Sequence, residues 1–145
     1  MIFVTVGTTA FEGLIKAADK LDSKEKVIIQ KADGAYEPKN HEFFALTHEF
    51  SSYVDRAELV ITHGGAGILF ELLDKGKKII GVANEERDDL HQSDLLGELA
   101  AEGYIIWCRD LNDLAKEVAR AQEFKFKRYI KPECHMAEEI IAKFA

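Results

Sequence analysis

A short apolar run, Glu58-Leu59-Val60-Ile61-Thr62, leads directly into His63-Gly64-Gly65-Ala66-Gly67 and then into a helical pattern carrying Ile68, Leu69, Leu72 and Leu73 on one side. This order of strand, glycine turn and helix constrains the chain more than any other feature. A helix whose first turn is glycine-rich leaves backbone N–H groups open and lets an anion approach closely. Its dipole adds roughly 0.3 to 1 kcal/mol of attraction. The same order occurs near the start: a β-branched run from Met1 to Val6, then Gly7-Thr8-Thr9, then Phe11, Leu14, Ile15, Ala18 and Leu21 at helical spacing.

The remaining punctuation agrees. Val27-Ile28-Ile29 between Lys26 and Lys31 reads as a second strand, Asp33 to Asn40 as a loop, Glu42 to Leu46 as a third strand and Glu49 to Ala57 as a short helix. Gly76 stops the helix after the glycine turn, and Lys77 to Ala83 is the next strand. A helix from His91 to Glu102 buries Leu95, Leu96 and Leu99, and Gly103 ends it before Tyr104-Ile105-Ile106-Trp107. Two helices close the chain, one with Leu111, Leu114, Ala115 and Val118, the other with Met136, Ile140, Ile141 and Phe144. Strands alternating with helices predict an α/β, Rossmann-like, mostly parallel sheet with helices on both faces. Ligands in such sheets bind beyond the carboxyl ends of the strands, where Gly7 and Gly64 both fall.

With 145 residues, 47% of them apolar and 31% charged, residues 1–145 are expected to form a single domain with a real core. The longest stretches free of Asp, Glu, Lys and Arg, Met1 to Phe11 and Leu59 to Phe70, fall short of the roughly 18 residues of a membrane span. Met1 to Val6 also lacks the basic flank of a signal peptide, so a soluble, intracellular protein is expected. Two cysteines, Cys108 and Cys134, make neither a disulfide framework nor a metal cluster. A net charge of −7 argues against nucleic acid as a partner. Phe124 to Lys131 is the only basic and aromatic stretch, and it reads as a solvated connection or as a contact for a partner or membrane surface.

Several side chains cluster around the two turns in this reading. His63, at a strand end, can donate to a phosphate oxygen or serve as a structural hydrogen-bonding residue. Glu71 lies four residues beyond Gly67 on the same helix face, where its carboxylate repels phosphate but accepts two hydrogen bonds from a ribose diol. In Asp88-Asp89-Leu90-His91-Gln92 an aspartate caps the helix while His91 and Gln92 face the ligand crevice. The spacing of these acids and histidines gives no recognised metal-ligand set, and no metal is expected. Gly7, Thr8 and Thr9 offer a second group of backbone and hydroxyl donors, with Thr8 or Thr9 also read as a helix N-cap.

Phe3-Val4-Thr5-Val6-Gly7-Thr8-Thr9, Val60 to Gly67, Asp89-Leu90-His91-Gln92 and Gly103-Tyr104, in that order, resemble the small catalytic subunits of split glycosyltransferases, relatives of the family 28 C-terminal domain. Two positions depart from that pattern: Lys78 stands where proline is usual, and so does Ala83. Both bear on strand edges more than on ligand groups.

The resemblance implies the C-terminal, donor-binding half of a two-domain GT-B fold and a UDP-sugar as donor, without an added cofactor. By position, His63, Gly64, Gly65, Ala66 and Gly67 would meet the diphosphate, Glu71 the ribose, and His91 and Gln92 the sugar hydroxyls. Asp89 belongs to the loop leading to them, and Gly7, Thr8 and Thr9 would line the opposite wall. It further implies an inverting hexosyltransferase, moving N-acetylglucosamine or another hexose to a lipid-linked acceptor. A chain of this length leaves no room for an acceptor domain, so a membrane-associated acceptor-binding subunit is expected to supply the general base and to hold the chain at the membrane from the cytoplasmic side. A single-chain sugar-nucleotide epimerase is disfavoured by length. The alternative is a nucleotide-sugar-binding or regulatory module without catalysis of its own.

Overall fold

The computed structural model describes residues 1–86 and 91–130. The elements run β1 (Ile2–Thr5), α1 (Glu12–Asp19), β2 (Val27–Gln30), β3 (Glu42–Phe44), α2 (Phe50–Arg56), β4 (Leu59–His63), α3 (Ala66–Asp74), β5 (Lys78–Val82), α4 (His91–Ala101), β6 (Ile106–Trp107) and α5 (Leu114–Ala121). A 3₁₀ turn, Leu111–Asp113, precedes α5. The expected helix carrying Met136, Ile140, Ile141 and Phe144 lies outside the described residues.

The strands form one sheet in the order β3-β2-β1-β4-β5-β6, and every ladder is parallel. Parallel neighbours need crossovers, and the crossovers cover both faces. The central strands are therefore apolar throughout rather than alternating: β1 and β2 are buried at all four positions. Ile2, Val4, Ile29, Ile61 and Ile80 point to the face covered by α1 and α5. Phe3, Ile28, Val60 and Ile79 point to the opposite face, against α2, α3 and α4. Each such buried Ile or Leu contributes about 1.5 to 3 kcal/mol of transfer free energy.

Local boundaries follow from hydrogen bonding. Gly76, at φ +70°, lets the chain turn back after α3, so that its N–H reaches Leu73 O at 3.0 Å and the Lys77 N–H reaches Leu72 O at 3.1 Å. β3 stops at Phe44 instead of Leu46, because this edge strand has a ladder partner on one side only. Leu46 is 61% exposed. β6 begins only at Ile106, after Tyr104 is used in closing α4, its N–H bonding to Leu99 O. On α5 the buried side is Leu114, Val118 and Ala121, while Ala115 is exposed. Lys78 opens β5 on its exposed end, and Ala83 follows the strand. Cys108 is buried, and burial, reinforced by the Glu117 carboxylate, pushes its thiol up to about 11. It is an unreactive core side chain.

Candidate functional site

β1 and β4 lie side by side, with Thr5 paired to Thr62, but the chain leaves them in opposite directions, towards β2 from one and β5 from the other. That divergence is a topological switch point, where a crevice opens beyond the strand ends. The two glycine turns of the sequence both leave the sheet there. Gly7 sits at φ +71°, a left-handed conformation that costs a residue with a side chain about 1 to 2 kcal/mol.

The His63 ring fills the gap between the turns. Its Nδ1 accepts the backbone N–H of Gly65 at 3.0 Å. The neutral ring therefore carries its proton on Nε2, which becomes the donor. A methyl group at Gly7 would come within 2.5 Å of Nε2, and one at Gly65 within 2.5 Å of Cε1. Both glycines are thus required by the same imidazole.

Gly64 and Gly65 use their own N–H groups inside the protein, on Gln92 Oε1 and His63 Nδ1. The open donors are one step further on. Gly65 is the N-cap of α3 and has no side-chain cap, and the N–H groups of Ala66, Gly67 and Ile68 have no hydrogen-bond partner among the described residues. Three converging N–H groups at a helix N-terminus form an anion cradle. Glu71 follows one turn later, exposed, its carboxylate without a hydrogen-bond partner among the described residues.

Gln92 is 5% exposed, and its side-chain oxygen is committed to two backbone groups, Gly64 N–H at 3.1 Å and Asn84 N–H at 2.9 Å. The brace continues from Asn84, whose Nδ2 donates to Ala10 O and whose Oδ1 accepts from the Glu86 N–H. The Glu86 carboxylate in turn accepts the N–H groups of Glu12 at 3.0 Å and Gly13 at 2.8 Å. These contacts correct the expectation that Thr8 or Thr9 caps the first helix. α1 begins at Glu12 with no cap from its own segment, and a carboxylate from beyond β5 serves instead. Thr8 is exposed and Thr9 half-buried beside Gly7, and His91 is exposed at the start of α4. Asp89 lies outside the described residues. Among the described residues no group of three or more His, Cys, Asp or Glu side chains is placed to hold a metal ion.

Beyond the ends of β1, β2 and β3 a cavity of about 530 Å³ opens, walled by Leu46, Phe50 and Ile68 and edged by Thr8, Thr47 and His48. Gln30 forms part of its lining although only 5% exposed. The Gly7 N–H donates to Thr5 Oγ1 at 3.2 Å, and the Thr5 hydroxyl donates to Gln30 Oε1 at 2.7 Å. This orientation gives the hydroxyl proton its acceptor and leaves the Gln30 NH₂ as the amide's other polar group. Ile68 belongs both to the cavity wall and to the first turn of α3, so the cavity and the anion cradle are contiguous. None of Gln30, Leu46, Phe50, Asn84 or Glu86 stood out in the sequence. The glutamine at a strand end next to a lysine was the one available signal.

Comparison with known proteins accords with this geometry. Residues 1–144 match the Glycosyltransferase family 28 C-terminal domain. The chain is 35% identical over 122 residues to the Homo sapiens UDP-N-acetylglucosamine transferase subunit ALG13, a match covering 74% of this chain and 11% of that protein. It therefore spans about a tenth of the length of its human relative. Among solved structures it resembles Acinetobacter baumannii MurG with a TM-score of 0.69 at 16% identity, covering 99% of this chain and 48% of that one. It also resembles the solution structure of ALG13, with a TM-score of 0.63 at 18% identity over 99% of this chain and 94% of that one. These last two likenesses establish the fold, the parallel α/β architecture of GT-B C-terminal domains.

Proposed function

From the premise that the chain belongs to the glycosyltransferase family 28 C-terminal domain family, we propose that it is the donor-binding part of an inverting glycosyltransferase that uses a UDP-sugar. The observation that carries this reading is the run of three open N–H groups at Ala66, Gly67 and Ile68, continuous with the cavity beside Gln30. A nucleoside diphosphate has the matching shape. Its base enters the cavity between Leu46, Phe50 and Ile68, its ribose diol meets Glu71, and its diphosphate rests on the α3 N-terminus with the His63 Nε2–H.

In the transfer step an acceptor hydroxyl attacks the anomeric carbon on the side opposite the diphosphate. The bond from that carbon to the phosphate oxygen breaks, and the nucleoside diphosphate leaves with the electron pair. Negative charge grows on the departing phosphate, so donors already fixed in place stabilise the transition state more than the ground state. His91 and the Gln92 NH₂ group face the sugar, while the Gln92 oxygen braces the turn. Gly7, Thr8 and Thr9 form the opposite wall, and Asp89, between β5 and α4 in the sequence, is assigned to the same site.

The proton of the attacking hydroxyl needs a base, which we assign to a separate acceptor-binding subunit associated with the membrane. The word subunit in the name of the human relative supports this assignment. The acceptor is a lipid-linked sugar and the transferred sugar is N-acetylglucosamine or another hexose.

Calorimetric titration with uridine and non-uridine nucleotide-sugars tests the donor site. We expect UDP-sugar binding by the native chain and a loss of about tenfold or more in Glu71→Ala, from two charge-assisted hydrogen bonds. Failure of every nucleotide to bind, or an unchanged affinity in the variant, would remove the assignment. Mixing the chain with its acceptor subunit and a lipid-linked acceptor tests catalysis. Transfer by the mixture alone supports the shared site, whereas donor binding without transfer under any pairing favours a binding or regulatory module.

A further inference from the structure

A second cleft of about 640 Å³ lies at the other end of the sheet, between the α3–β5 junction and the segment from Phe124 to Tyr129. Six cationic side chains line it, Lys75, Lys77, Lys78, Lys125, Lys127 and Arg128, against one carboxylate, Asp74. In a chain of net charge −7 this is a marked segregation of positive charge.

Two of the six are engaged locally. Lys75 pairs with Asp55 at 3.1 Å, and Lys77 Nζ donates to the carbonyls of Asp55 and Ala57. Lys78, Lys125 and Arg128 are exposed and have no ion-pair or hydrogen-bond partner among the described residues. Lys127 is also exposed, with its ammonium 5.6 Å from the centre of the Tyr104 ring.

The outward direction of these charges is set by what lies between them. Phe124 and Phe126 meet edge to face at 4.8 Å and pack on the core under α1 and α5. Tyr129 packs on Phe70 at 5.8 Å and on Tyr104 at 5.3 Å. The Lys127 N–H bonds to Gly103 O at 2.9 Å. With the aromatic rings turned inward, Lys125, Lys127 and Arg128 are left facing solvent, and Ile130 just beyond them is 75% exposed.

We propose that this cleft is a docking face for the phosphate headgroups of an anionic lipid bilayer. Charge complementarity selects the occupant: four exposed cations, none of whose side chains has an ion-pair or hydrogen-bond partner among the described residues, converge on one edge, with Tyr104 and Tyr129 in the lining and an exposed isoleucine beside them, the composition of a membrane-surface contact. No helix among the described residues is long and apolar enough to cross a membrane. Surface charge is the attachment this part of the chain offers. The contact is reversible and salt-dependent, and it stands independently of the donor site at the opposite end of the strands.

Co-sedimentation of the full chain with vesicles of phosphatidylcholine alone, and of phosphatidylcholine mixed with phosphatidylserine, tests this. Binding is expected only with phosphatidylserine, weakening as salt rises. In Lys125→Glu/Lys127→Glu/Arg128→Glu it should fall by at least on the order of 100-fold, from about fivefold for each positive charge removed, with a further loss from the three carboxylates added. Lys16→Glu/Lys20→Glu/Lys24→Glu, which makes the same change in net charge away from the cleft, should lose far less. If the first variant loses its circular dichroism spectrum, Lys125→Gln/Arg128→Gln replaces it, with a loss of roughly 30-fold expected. Equal binding to both vesicle types, equal losses in the cleft and control variants, or capture of pyrophosphate or polyglutamate without vesicle binding would each overturn the proposal.

Discussion

The Gln92 side-chain oxygen holds the backbone N–H of Gly64 at 3.1 Å, joining the first residue of α4's buried side to the turn that starts α3. The same oxygen holds Asn84, so one buried atom ties two loops of the crevice. Gln92→Leu keeps roughly the volume but strands two buried donors. A stability loss of about 2 to 4 kcal/mol is expected in urea denaturation, together with weaker donor binding. A loss confined to binding would show that the brace is not structural.

Gly65 and His63 should be energetically coupled. Gly65→Ala places a methyl against the imidazole without backbone strain, since Gly65 has φ −68°. The single substitution is expected to cost about 1 to 3 kcal/mol, as overpacking does. In a His63→Ala background most of that cost should vanish. A double-mutant cycle by chemical denaturation measures the coupling, and additive losses would refute it.

With the base in the cavity as proposed, Gln30 would select it. Its NH₂ group suits a ring carbonyl and opposes a ring amine, so UDP should bind better than CDP. Gln30→Met retains length and apolar packing but removes the donor. It should reduce the UDP preference by about tenfold, from one hydrogen bond to a buried group, and lower stability by about 1 to 3 kcal/mol because the buried Thr5 hydroxyl loses its acceptor. Unchanged selectivity in calorimetry would exclude this role.

Asp19 predicts a pH dependence of stability. It is 1% exposed, and burial pushes its carboxyl upward. The Lys39 N–H, the Tyr36 hydroxyl at 2.6 Å and the Asn40 N–H at 2.9 Å outweigh that, leaving it below the ordinary 3.8. A carboxyl with a lowered folded-state value contributes stability that is complete above the unfolded-state value and disappears as pH falls through the folded one. Native protein should therefore lose stability below about pH 4, where the unfolded chain takes up the proton first, and Asp19→Asn should show a shallower decline from a lower starting point. Urea titrations across that range decide it, and parallel curves for the two proteins would contradict it.

Much of the architecture was readable in the pattern of residues. Short apolar, β-branched runs and period-3.6 stretches are separated by glycines that must turn, so the strands, the crossovers and the position of both glycine turns follow from local physics. The turn from His63 to Gly67 was visible because strand, glycine and helix are consecutive there. What could not be read depends on contacts between distant segments. Glu86 caps a helix 73 residues before it. The cavity beside Gln30 needs β1, β2, β3 and α3 assembled before it exists. Gln92 was seen as a ligand-facing residue because its buried acceptor role depends on Asn84 and Gly64 converging from separate loops.

The ladder of the sheet also bears on how the crevice comes into being. Ile2 pairs with Val27 on one side and with Leu59 on the other, so β1 can form its first ladder long before β4 is available for the second. The first ladder closes the shorter loop of chain, so closure across β1 and β4 is expected to be the slower step. The first turn of α3 and the Gly7 turn approach each other only after that closure. A bound donor would then act as a staple between two folding units, raising the cost of their separation more than that of fraying at β3 or β6. Hydrogen exchange would register this as protection spreading outward from the seam.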